Sequence, residues 1–177
     1  RHGIIDSLPV SFAWAERIGI IASIALGPIF ALGSPDVLLG MASAAAALAN
    51  GVRLAGWKSR TTMGDPLLWS LHLGFAMLVL GYALLAIAWL TGVISPVSAL
   101  HGLSIGAVGG MTLAMMTRAP LGHTGRPLSA GKLTTKAYVL IFSAMIVRIA
   151  GAEFLPGQYG AAVLLSGLLW IGAFAFY

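Results

Sequence analysis

The chain contains no cysteine, which excludes disulfides, thiolate metal sites and iron–sulfur clusters held by its own residues. It is almost as poor in charge. Charged residues make up 8% of the sequence, ten basic and five acidic, against about 25% in soluble domains. So few charges cannot cover the water-facing surface of 177 residues. A bilayer needs no such cover. With 59% hydrophobic residues, the composition points to an all-α, polytopic transmembrane helical bundle. The 177 residues suffice for about six spans of roughly 20 residues each.

Six apolar stretches carry this reading, at about Trp14–Leu32, Val37–Ala55, Leu67–Leu90, Val97–Thr117, Thr135–Phe154 and Tyr159–Phe176. They are too long and too little alternating for barrel strands, and in lipid only helices or closed barrels satisfy the backbone. Turn residues separate them. Gly33-Ser34-Pro35-Asp36 joins the first pair, with Asp36 a candidate cap. Pro66 and Pro96 stand where a helix opens and a missing N–H is harmless. Pro156-Gly157 parts the last two spans.

Lysine and arginine are missing from alternate connections. Gly33–Asp36, Thr91–Pro96 and Glu153–Gln158 hold none, whereas Arg53, Lys58 and Arg60, then Arg118, Arg126, Lys132 and Lys136, occupy the others. Alternation of this kind is what an in–out series of helices requires. The positive-inside rule assigns the basic loops 53–65 and 118–136 to the cytoplasm, and Arg1 and Arg17 agree with that assignment. The net charge of +5 follows from topology and gives no reason to expect a nucleic-acid partner. Trp57, Trp69, Trp89, Trp170 and Tyr177 fit an interfacial aromatic belt.

Polar side chains inside the spans are scarce, so each calls for a reason. His72 lies six residues past Pro66, ~9 Å inside its helix, and His101 lies five past Pro96, ~7 Å in from the opposite face. Each imidazole reads either as a ligand to haem iron, copper or zinc or as a packing histidine bonded to a carbonyl. Their separation in depth points to different sites. Arg148, in the outer half of the fifth span, reads as a snorkelling cation or as a partner for a carboxylate such as a haem propionate. Its five-residue spacing from Glu153 is poor for an ion pair along a helix. Gly102, Gly106 and Gly110 form a ladder that lets a helix, or a flat cofactor, approach the backbone. Met111, Met115 and Met116 fit packing, with copper ligation the alternative. After the fourth span, Arg118, His123 and Arg126 lie in a segment shaped by prolines and glycines. It reads as a topology loop, or as a metal ligand beside an anion site. Gly27-Pro28 in the first span would support a transporter if the helix broke there.

At these residues a resemblance emerges. The run LHGLSIGAVGGMTLAMMTRAPLGHTGRPL, Leu100 to Leu128, resembles the signature of the NnrS family. So do DPLLWSLHLGFAMLVLGYALL, Asp65 to Leu85, and the ending LLWIGAFAFY. Pro120 stands where a serine is common in that family. The resemblance implies a haem- and copper-associated protein of the bacterial inner membrane that takes part in the response to nitric oxide or nitrosative stress. It implies that this chain corresponds to the C-terminal half of a protein of about twelve helices, with the N-terminal half and a redox partner completing the system. It also implies metal or haem ligation at His72, His101 and His123, and anion or propionate contacts at Arg118 and Arg126. Whether the family catalyses a reaction is left open by the resemblance. A transporter half and a metal-free assembly module are the alternatives.

Overall fold

The computed structural model describes residues 9–177. Arg1, assigned above to the basic end, lies outside the described residues. Six helices are long and apolar enough to cross a membrane: α1 (Ala13–Ala31), α2 (Asp36–Gly56), α3 (Pro66–Thr91), α4 (Pro96–His123), α5 (Lys132–Phe154) and α6 (Tyr159–Ala175). Short 3-10 turns at Ser59–Thr62 and Pro156–Gln158 are the only other regular elements among the described residues. At 1.5 Å per residue the 26 residues of α3 span about 39 Å, more than a hydrocarbon core of ~30 Å.

Local chemistry explains where the helices begin. Asp65 accepts a hydrogen bond from the Leu67 N–H at 2.9 Å, and Pro66 takes the first helical position. Ser95 does the same for Val97 at 3.2 Å ahead of Pro96. Asp36 does not cap α2. The cap position falls to Pro35, and Asp36 lies in the first turn, where its charge favours the helix dipole. Gly92 closes α3 in the left-handed region at φ 66°, which glycine adopts without a Cβ penalty.

Consecutive helices pack side by side along the chain, antiparallel, from α1–α2 through α5–α6. Every second connection therefore lies at one end, and the basic residues of α2–α3 and α4–α5 share it. The principal core joins α3, α4, α5 and α6 through Leu67, Leu113, Tyr138, Ile141, Phe142 and Ala173. The flanking helices leave large apolar side chains uncovered, Ile21 and Ile24 on α1 and Leu164 and Ile171 on α6. Lipid is the solvent such faces require.

Helix α4 departs most from expectation. Its stretch Gly102–Gly109 is wound as π-helix, and it runs six residues past Thr117, to His123, with Pro120 inside it. Proline removes the N–H that would bond the carbonyl four residues back, that of Met116. Tyr177 at the chain's end donates its hydroxyl to that carbonyl at 3.2 Å, so the orphaned acceptor is satisfied and the helix continues. The glycine ladder is used for packing. A Cβ on Gly102 would meet the Gly81 backbone at 3.1 Å, one on Gly106 Met77 at 2.9 Å, and one on Gly110 Phe142 at 2.6 Å. Close approach of α3 and α5 thus depends on hydrogen at these positions. Gly27-Pro28 leaves α1 unbroken as far as Ala31, which removes the observation that favoured a transporter.

Candidate functional site

Two clusters of polar side chains hold the half-buried histidines, one toward each end of the bundle. Along α3, His72 and the level of His101 are about ten residues apart, since Gly81 faces Gly102. That is ~15 Å along the helix, so the two histidines lie in separate parts of the bundle.

At the basic end, Lys58 takes the left-handed conformation, φ 50° and ψ 48°, which is uncommon for a residue with a Cβ. It turns the chain into Ser59–Thr62. Ser59 Oγ then lies 2.8 Å from His72 Nδ1. With the proton on Nδ1, that nitrogen donates to Ser59 and Nε2 presents its lone pair. Nε2 makes no hydrogen bond among the described residues. The imidazole meets Trp57 edge-on, centroids 5.5 Å apart, and Trp57 packs against Phe75 at 4.4 Å. Arg53 lies 5.2 Å over the Phe75 ring and donates to Asn50 Oδ1 at 2.7 Å. Asn50, almost wholly buried, donates to the Ala46 carbonyl at 2.9 Å. His72 opens onto a cavity of about 380 Å³ with Leu54, Ser59, Met63, Trp69 and Leu73.

At the opposite end, Arg148 Nε donates to His101 Nε2 at 3.1 Å, joining α5 to α4. An accepting Nε2 is unprotonated, so the ring proton sits on Nδ1. Arg148 forms no ion pair among the described residues. Glu153 instead accepts from the Ser95 N–H at 3.2 Å.

His123 is the last residue of α4, exposed, and Arg126 is exposed beyond it; Arg118 is half-buried. No hydrogen bond or ion pair joins the three among the described residues. Arg118 and His123 stand on the helix because it outruns Thr117, so the expected loop is reduced to Thr124–Gly131. Met111 packs against Gly74, whereas Met115 is exposed.

Sequence reasoning missed Ser59 and the Asn50–Arg53–Phe75 chain. A polar residue beside a basic loop looks like solvent-facing surface, and only the left-handed turn at Lys58 brings it back onto α3. The tryptophans read as a belt also pack on neighbouring rings. Trp57 packs on His72, Trp69 on Tyr138 and Trp170 on Phe174. Tyr138 is fully buried, its hydroxyl hydrogen-bonded to Thr117.

Residues 2–177 match the family model described as NnrS protein. The chain belongs to the NnrS family. No curated protein and no solved structure matches it. Membership makes it a multi-pass membrane protein of a family related to the nitric oxide response and associated with haem and copper. The residues fit such a group unequally. Among the described residues no three His, Asp or Glu side chains converge to hold a metal ion. His72 fits a single ligand position, its ring oriented through Nδ1 by a serine and its Nε2 free, the arrangement metal-binding histidines use. His101 does not fit through Nε2 as it stands, because Arg148 occupies that lone pair.

Proposed function

We propose that this chain is a haem- or copper-binding part of an inner-membrane protein acting in the response to nitric oxide, and that His72 is its metal ligand. The observation that carries the reading is the tether from His72 Nδ1 to Ser59 Oγ at 2.8 Å, beside an apolar cavity and with Nε2 unpartnered among the described residues. Haem iron or copper held there would supply a redox-active centre. The remaining ligands come from the N-terminal half of the same protein. Arg118 and Arg126, at the same end of the bundle as His72, contribute positive charge for propionates or phospholipid headgroups. The basic end faces the cytoplasm.

The test is the optical spectrum and metal content of the full-length protein carrying His72→Ala, His101→Ala or His123→Ala. His72→Ala is expected to lose or shift the Soret band, or to lose copper. The other two variants are expected to keep their metal. Full occupancy in His72→Ala, or intact wild-type protein with neither haem nor copper, would sink the proposal.

A further inference from the structure

Arg148 is a cation within a membrane helix and has no carboxylate partner among the described residues. Such a charge is expensive in the bilayer and is kept where something opposes it. It stands six residues before Phe154, the end of α5, ~9 Å along the helix. The arm does not simply reach for water. Its Nε is bonded back to His101 on α4, and its guanidinium carbon lies 5.7 Å from the Tyr159 ring on α6. The guanidinium is thereby held in a cleft of about 410 Å³ whose walls are α4 and α6 and whose floor is α5, a size typical of small-molecule sites.

The cleft is rich in unused donors. Among the described residues only one N–H of Arg148 is bonded, that to His101. Trp170 lines the cleft and its indole N–H has no acceptor among the described residues. His101 Nδ1–H is equally free. Ser104 and Ser166 also line it, but their hydroxyl protons go to the carbonyls of Leu100 and Ala144 at 2.9 and 2.8 Å. The rest of the wall is apolar, with Ile105, Val163 and the open face of Gly167. A fixed positive charge and the spare His101 N–H toward one end of the bundle, with an apolar groove running from them to Trp170 deeper in, match one kind of molecule: an amphiphile with an anionic head.

We propose that this cleft binds the phosphodiester headgroup of a membrane phospholipid, with an acyl chain lying along α4 and α6. Arg148 opposes the phosphate charge, His101 offers a further hydrogen bond, and Ile105, Val163 and, deeper, Trp170 cover the chain. The site is separate from His72 and does not depend on a metal.

The experiment is lipid retention by the full-length protein, delipidated in detergent and titrated with phosphatidylglycerol, oleate or inorganic phosphate under native mass spectrometry. Wild type is expected to hold phosphatidylglycerol. Arg148→Gln is expected to weaken it roughly five- to tenfold, the scale of one basic residue at an anionic headgroup. Gly167→Leu is the second variant. A Cβ at Gly167 meets nothing within 4 Å, so leucine there fills the cleft without disturbing the core. It is expected to expel the lipid while haem or copper content stays at the wild-type level. That separates failure of this site from failure of the His72 reading. Should Arg148→Gln not fold, Gly167→Leu decides alone. Equal retention in wild type and Gly167→Leu overturns the proposal. So does selective binding of oleate, which would assign a carboxylate, or displacement of the lipid by millimolar inorganic phosphate, which would assign a soluble anion.

Discussion

Ser59→Ala is the most informative single change at the proposed metal ligand. It deletes one oxygen, 2.8 Å from His72 Nδ1, and leaves the imidazole itself untouched. A hydrogen bond of this kind contributes about 1 kcal/mol to stability, so the helix bundle should fold. The effect on ligation should be larger. Outer-shell partners of metal-binding histidines typically affect affinity by 10–100-fold, or about 1.4–2.7 kcal/mol. The ring keeps one other support, the edge-on contact with Trp57 at 5.5 Å, which limits its freedom. We therefore expect the lower end, about tenfold weaker haem or copper binding. The assay is metal titration of full-length protein followed by its optical spectrum. Ser59→Thr keeps the hydroxyl and should bind within about threefold of wild type. Identical affinity in wild type, Ser59→Ala and Ser59→Thr would refute the view that Ser59 orients the ligand.

Two further predictions concern the frame that holds the site. Gly110→Val should lower the thermal midpoint of the detergent-solubilised protein, by about 1–3 kcal/mol of overpacking strain, because its Cβ would meet the Phe142 ring at 2.6 Å. A midpoint equal to wild type would show that α4 and α5 are not held so closely. Tyr177→Phe removes the hydroxyl that satisfies the Met116 carbonyl, and should destabilise by about 1 kcal/mol. Its clearest sign would be faster amide exchange in the residues around Pro120, and unchanged exchange there would count against the role given to Tyr177.

Much of the architecture was legible because hydropathy and charge act over long windows. Six apolar runs and the absence of basic residues from alternate loops are sums over many side chains, and neither depends on any single contact. The caps at Asp65 and Ser95 were local and partly visible, as Pro66 and Pro96 mark the places where they operate. The length of α4 was not legible. Pro120 argues for a helix end by its own chemistry, and the hydroxyl that answers it belongs to Tyr177, 57 residues further on. The pairing of Arg148 with His101 was hidden for the same reason. Both were placed toward the same membrane face, but only the packing of α5 against α4 turns shared depth into a hydrogen bond. At His72 the sequence showed the imidazole and its depth. The serine that orients it depends on a left-handed Lys58, which no pattern of residue types announced.

The central claim is that His72, and not His101, carries the metal. Pulsed EPR of the full-length protein, labelled with 15N-histidine, tests it most directly by reading the imidazole couplings at the paramagnetic centre. The coupling from one imidazole is expected to vanish in His72→Gln and to persist in His101→Gln. Loss of a coupling in His101→Gln with His72→Gln unchanged would contradict the assignment.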